Sequence, residues 1–217
     1  ALNWRKTHPN EFVFLHFFGS TPGSANYLNL LSRLIEELKV RFEISQDLPD
    51  TPEALRIALP NWLAMAAAKC SRLVLVLDGL NQIEDRDQAP DLVWLPAQFP
   101  TNVKVLVSTL PGRTLNALRK RPHSEFEVQL LDQKERLCLV DAYLGRFKKH
   151  LEERRAKRII SSESSANPLY LRILLEELRQ FGSYEQLDER IEHYLQARSI
   201  DVLYDKVLER MEYDYEG

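Results

Sequence analysis

The stretch Leu73–Glu84, LVLVLDGLNQIE, carries an apolar run into a carboxylate, Asp78. If the run is a strand of a parallel sheet, Asp78 stands at its C-terminal edge, where open α/β sheets bind ligands. A carboxylate there suits a magnesium ion, which prefers hard oxygen ligands and keeps much of its water. The same residues also fit an Asp-Gly turn leaving a buried strand, with no ligand involved. A second apolar run, VKVLVSTLPG, ends in two hydroxyls, Ser108 and Thr109. They can touch a phosphate group or an attacking water, or simply satisfy a turn. A third stretch, FFGSTPGS at 17–24, follows the apolar EFVFLHFF and opens onto the helical pattern ANYLNLLSRLIEELK. Strand, glycine turn and helix is the layout of a phosphate-binding loop. Gly19 and Gly23 have suitable spacing, but Ser24-Ala25-Asn26 stands where the phosphate-binding lysine is required. The pattern G-x-x-x-x-G-K-S/T occurs nowhere in the 217 residues.

These side chains need elements to hold them. Four runs read as strands: Phe12–Phe18, Leu73–Leu77, Val103–Val107 and Phe126–Leu130. The second and third are continuously apolar, as strands covered on both faces by helices should be. Between the first two, Leu28, Leu31, Leu34, Ile35 and Leu38 keep a helical stripe over Tyr27–Leu38, with Ser24 as the expected cap of a helix over 25–39. Thr51 and Pro52 mark the next helix start, and Pro60 is expected to kink or divide that helix. Strands alternating with helices at this spacing point to right-handed crossovers and a mostly parallel sheet. After Leu130 the strand-like runs stop. Asp132 with Glu135 is a capping pair opening a helix, and helical patterns continue with breaks at Ser161–Asn167, Gly182–Ser183 and Arg198–Ser199. The expected organisation is an α/β domain over 1–131 and a small all-helical domain over 132–217.

Composition narrows the function classes. The chain is 44% hydrophobic and 28% charged with net charge −3, which gives no global reason to expect nucleic acid or an acidic membrane as partner. Lys148, Lys149, Arg154, Arg155, Lys157 and Arg158 form one basic cluster, and Arg119-Lys120-Arg121 another. Glu152 and Glu153 interleave the first and no aromatics accompany it, so a solvated helix face is the expectation and nucleic acid is not an expected partner. Cys70 and Cys138 are isolated and fit a reducing interior. The five histidines show no ligand spacing, and His16 reads as a satisfied core or interface residue. No apolar run in the sequence reaches membrane-spanning length, and no secretory leader is expected. The opening ALNWRKTHP reads as the tail of a helix, as in a piece of a longer chain.

LVLVLDGLNQIED, then VWLPAQFPTNVKVLVSTLPG, then SSANPLYLRILLEELRQFG, resembles the STAND class of P-loop ATPases, within its NACHT-like group. The nearest look is to nephrocystin-type and telomerase-associated-protein-type members, and RKTHPNEFVFLHFFGSTPGSANYLNLLSRLIEELK is similar to the segment following their first helix. The resemblance implies a P-loop NTPase-type three-layer core, with the first strand and phosphate loop absent here, followed by a small helical domain. It implies a signalling switch in which ADP holds a closed form and ATP permits an open, assembling one. Downstream repeats of TPR or WD type would bind partners, in an intracellular, cytoplasmic setting, which for a nephrocystin-type member is ciliary. Residue by residue, Asp78 matches the Walker B aspartate that holds magnesium through water. Ser108, with Thr109, matches sensor 1, and Pro168 matches the proline that packs against the base. Proline at a first helical position is also ordinary helix-start chemistry.

Two departures qualify this expectation. Many NACHT proteins carry further acidic residues after the Walker B strand, where this chain has Asn81 and Gln82. These amides cannot act as a general base, although an amide such as Gln82 can orient water, so hydrolysis is expected to be slow. The phosphate loop, by the resemblance, lies upstream of residue 1. With the family's strand order 5-1-4-3-2, Val103–Val107 and Phe126–Leu130 would then flank a gap, each unsatisfied buried group costing about 1–3 kcal/mol. ATP and magnesium are therefore expected to bind tightly only in a longer parent. The alternative function is a non-catalytic α/β scaffold for protein–protein contact.

Overall fold

The computed structural model describes residues 4, 7, 8, 10–182 and 185–216. The expected helix tail at 1–9, apart from residues 4, 7 and 8, and the break at Ser183 lie outside the described residues. The chain divides into two compact units, residues 1–125 and 126–217.

The first unit is built on three parallel strands, β1 (Glu11–Phe17), β2 (Arg72–Asp78) and β3 (Val103–Val107), in the order β1-β2-β3. Phe12 is in register with Leu73, and Leu73 with Val103. Between β1 and β2 run α1 (Tyr27–Phe42) and α2 (Pro52–Ala67). Both helices share one core with Phe12, Phe14, Leu73, Leu75, Leu77 and Val103. The Phe42 ring meets Phe12 edge-on at 5.5 Å, which places α1 on that face. The opposite side of the sheet is different. Val74 and Val76 are half-buried, and Phe17 and Leu106 are exposed. The apolar runs of β2 and β3 suggested cover on both faces, yet burial alternates along them. Both connecting helices are committed to a single face, so their apolar stripes cannot cover the second one.

Three local expectations are corrected. Residues 126–130 form no ladder among the described residues, and Phe126 and Val128 are 88% and 85% exposed. Alternating apolar side chains supply strand propensity, but a strand exists only where a neighbouring backbone completes its hydrogen bonds. The cap of α1 is Asn26, whose side-chain oxygen accepts from Leu28 N–H at 2.9 Å. Ser24 is already engaged, accepting from Thr21 N–H and donating to Thr21 O at 2.7 Å. Pro60 does not divide α2, which runs unbroken from Pro52 to Ala67. Pro60 sits on the exposed side while its neighbours Leu59, Trp62 and Leu63 are fully buried. Burial of that stripe outweighs one lost backbone bond.

After β3 comes the short α3 (Arg113–Leu118), which closes the first unit. The second unit contains α4 (Gln133–Gly145), α5 (Glu153–Ser161), α6 (Pro168–Gln180), α7 (Leu187–Leu195) and α8 (Ile200–Glu216). Asp132 and Glu135 form the anticipated reciprocal capping box on α4. The core of this unit gathers Val140, Leu144, Ile159, Leu171, Leu174, Ile191 and Leu203. Within it the Tyr170 hydroxyl reaches the carbonyls of Tyr194 and Ala197, each at 2.8 Å, and burial pushes its pKa up to about 12. Glu177, only 6% exposed, accepts from the Tyr194 hydroxyl at 2.6 Å and from Arg210 Nε at 2.7 Å, tying α6 to α7 and α8.

Candidate functional site

The three strands end on one edge, and the turns that leave them carry the candidate residues. Asp78 closes β2 and is exposed. Ser108 follows β3, held beside β2 by its N–H donating to Leu77 O at 3.1 Å. Its hydroxyl donates to Asp78 Oδ1 at 2.5 Å and accepts from Gly79 N–H at 2.8 Å. One hydroxyl thus fixes both the carboxylate and the turn after it. Charge-assisted bonds of this kind are the short, strong class.

The turn itself depends on glycine. Gly79 is left-handed at φ +69° and leads into a single helical turn, Leu80–Gln82. Gly19, in the loop after β1, is left-handed at φ +72°. The Gln82 amide lies across it, so closely that an added Cβ would stand 2.9 Å from Cδ and collide with Oε1. Asn81 faces the other way, its Oδ1 accepting from Leu110 N–H at 3.2 Å. The structure therefore brings together Asp78, Ser108 and Gln82 around the ends of β1, β2 and β3. Thr109 is not part of this group: its hydroxyl donates to Leu110 O in its own loop. Pro168 belongs to the second unit, where it occupies the first turn of α6 behind the Asn167 cap.

The contacts of Arg113 and Arg121 were not apparent in the sequence, whereas His16 is the satisfied, buried residue that was expected. Arg113 donates to both oxygens of Asp85, at 3.0 and 2.9 Å, and to both of Asp91, at 3.0 and 2.5 Å. The guanidinium holds the Asp91 carboxyl below its ordinary range. The Arg121 guanidinium reaches the carbonyls of Leu92, Leu95 and Pro96, again within the long segment between β2 and β3. Beside the 19–24 loop, His16 Nδ1 lies 3.2 Å from Arg33 Nη2 and Nε2 lies 2.8 Å from Ser24 O. A guanidinium can only donate, so the network assigns Nδ1 as acceptor and the proton to Nε2. Burial, with the nearby Arg33 charge, pushes the His16 pKa down against the opposing Ser24 bond.

The arginines of the basic clusters are engaged. Arg119 bonds Glu125, Arg154 and Arg155 bond Asp188, and Arg158 pairs with Glu192. Lys149 donates to the carbonyl of Arg179. Arg154, Arg155 and Arg158 tie α5 to α7, while Lys120, Lys148 and Lys157 stay exposed to solvent.

The donor set at the sheet edge suits a magnesium ion in one respect only. No cluster of three or more potential metal-ligating His, Cys, Asp or Glu occurs among the described residues. One exposed carboxylate, oriented by a hydroxyl, suits an ion that keeps most of its water. A triphosphate also requires a cradle of backbone N–H groups and a lysine. FFGSTPGS does not supply it: no lysine follows Gly23, and the Ser20, Thr21 and Ser24 N–H groups are donated within the loop.

No family model matches the chain. Its sequence is 31% identical over 195 residues to Telomerase protein component 1 of Mus musculus, covering 84% of this chain and 7% of that protein. It is 28% identical over 184 residues to NACHT and WD repeat domain-containing protein 2 of Mus musculus, covering 82% and 10%. It is 31% identical to a TPR repeat-containing protein of Dictyostelium discoideum over 99% of this chain and 15% of that protein. The chain thus spans a small fraction of the length of these relatives. No helix among the described residues is long and apolar enough to cross a membrane.

Proposed function

We propose that this chain is part of a NACHT/STAND-type nucleotide-dependent signalling ATPase, coupling ATP or ADP binding to conformational change and protein assembly. The observation that carries the reading is the Ser108–Asp78 hydrogen bond, which sets a hydroxyl and a carboxylate side by side at the ligand-binding edge of a parallel sheet. In this reading Asp78 holds magnesium through water, and Ser108 senses the state of the terminal phosphate through its bond to Asp78. Gln82 orients water from its perch over Gly19. Thr109 has a smaller part, because its hydroxyl is turned into its own loop. NACHT in the name of one relative supports the assignment.

Three parallel strands without a lysine-bearing phosphate loop lack most of a triphosphate site. The 217-residue chain should therefore bind Mg·ATP more weakly than about 100 µM. A longer chain that includes a phosphate loop should bind tightly and hydrolyse slowly, on the order of 10⁻² per second, as switch NTPases do. Isothermal titration calorimetry of both forms tests this, with Asp78→Asn in the longer form expected to abolish the magnesium dependence. Micromolar binding by the 217-residue chain would overturn the first claim. Rapid turnover by the longer form would overturn the second.

A second reading is favoured by a separate observation. Asn81 is spent on the Leu110 backbone, and as an amide it cannot serve as a general base. In that reading the α/β unit is a scaffold for protein–protein contact, in keeping with the TPR and WD repeat names of the relatives. A longer chain that binds no nucleotide yet still assembles would establish it. In both readings the setting is intracellular and the partners are protein chains.

A further inference from the structure

Helix α8 is amphipathic twice over. Leu203, fully buried, and Arg210, bonded to Glu177, lie on the side that joins the helical core, with Val207 packed between them. A second stripe, Tyr204, Leu208 and Met211, follows the i, i+4, i+7 spacing of one helical face. These side chains are 45%, 55% and 46% exposed. An apolar face with this spacing needs a helix against it or stands as a liability.

The charges beside the stripe say what kind of helix. Asp201, Asp205, Glu209 and Glu212 all lie on the flank away from the core and are exposed. None of the four takes part in an ion pair among the described residues. Four other acidic residues of the same unit, Asp188, Glu192, Glu176 and Glu177, each have an arginine and are thereby committed within the fold. Two copies of the chain packed antiparallel through this stripe would set one acidic flank against the other, and like charges in that position are repulsive.

We infer that the Tyr204–Leu208–Met211 face of α8 is a docking surface for an amphipathic helix that carries lysine or arginine beside its apolar stripe. The apolar stripe supplies most of the affinity, and the acidic flank sets the choice of partner and speeds its approach. This surface is independent of the nucleotide reading, because it uses nothing at the sheet edge.

The test uses two fluorescein-labelled helical peptides with leucines at i, i+4, i+7 and i+11, one flanked by lysines and the other by glutamates. Anisotropy titrations with the 217-residue chain should show the lysine peptide binding about tenfold tighter or better, a preference that shrinks as salt screens the flank. Leu208→Glu should weaken binding of the lysine peptide by about tenfold or more. Its circular dichroism should be unchanged, since Leu208 is exposed. The double variant Asp205→Lys, Glu212→Lys should reverse the preference, and it keeps the test decisive if Leu208→Glu disturbs folding. Equal affinity for the two peptides, or unaltered binding by Leu208→Glu, would overturn the proposal. So would a sedimenting dimer that Leu208→Glu converts to monomer, because a second copy would then be the natural occupant.

Discussion

Replacing Gly19 with alanine tests the tightest approach at the sheet edge. Two effects should add. Gly19 is held at φ +72°, and a left-handed backbone costs a residue with a Cβ about 1–2 kcal/mol. The new methyl would also occupy the space of the Gln82 amide. That amide is the end of a flexible, exposed side chain, so it can rotate away at a cost of about 1 kcal/mol. The expected loss is therefore about 2–3 kcal/mol in all. Urea denaturation followed by circular dichroism measures it, and a double-mutant cycle with Gln82→Ala divides it. In the Gln82→Ala background only the backbone part should remain, leaving a coupling energy of about 1 kcal/mol. Gly23→Ala is the matching control, with φ +78° and only the Asn29 amide at 3.0 Å. It should show the backbone cost without coupling to Gln82. If Gly19→Ala costs the same with and without Gln82, the amide does not rest on Gly19, and the water-orienting place given to Gln82 loses its support.

Other outcomes follow from described contacts. Arg210→Met strands the Glu177 carboxylate in the helical core and should cost about 3–5 kcal/mol in the same denaturation assay. Asn26→Ala removes the cap on α1 and should cost about 1 kcal/mol, whereas capping by Ser24 would leave this variant nearly neutral. His16 has a folded-state pKa below its ordinary 6.5, so the unfolded chain binds more protons as pH falls through that value. Its contribution to stability is then full above about pH 6.5 and declines as pH falls further, toward the depressed folded pKa. Melting temperature measured between pH 7.5 and 5 should fall less steeply for His16→Gln than for the parent.

The sequence revealed what local pattern controls. β1, β2 and β3 lie within one residue of the apolar runs that announced them, because a strand with a buried face needs such a stretch. Asp78 and Ser108 were legible for the same reason: a polar residue ending such a run must emerge at the sheet edge. Their mutual hydrogen bond was not, since it depends on the relative register of β2 and β3. The run at 126–130 has the composition of a strand, yet pairing is a property of two segments and cannot be read from one. Ser24 and Asn26 are both good caps, and the choice between them was made by Thr21, which claimed the serine. The contact of Gln82 with Gly19 joins positions far apart in sequence through the closure of two left-handed turns. Arg113 and Arg121 gave no periodic signal, because their partners are scattered carbonyls and carboxylates.

Those two arginines bear on how the long segment between β2 and β3 acquires its shape. That segment contains left-handed residues at Asp87, Gln88 and Leu92, and it has no regular ladder of its own. Side-chain donors to Leu92, Leu95 and Pro96, and the cation that gathers Asp85 and Asp91, come from residues 113 and 121. The instructions for the loop are thus written downstream of the loop, past the next strand. Moving residues 79–102 alone into another sheet would carry over their composition and lose their conformation. A graft that includes Arg113 and Arg121 restores the part of the conformation that these two side chains hold, while Glu84 still needs its bond to the Ala25 carbonyl.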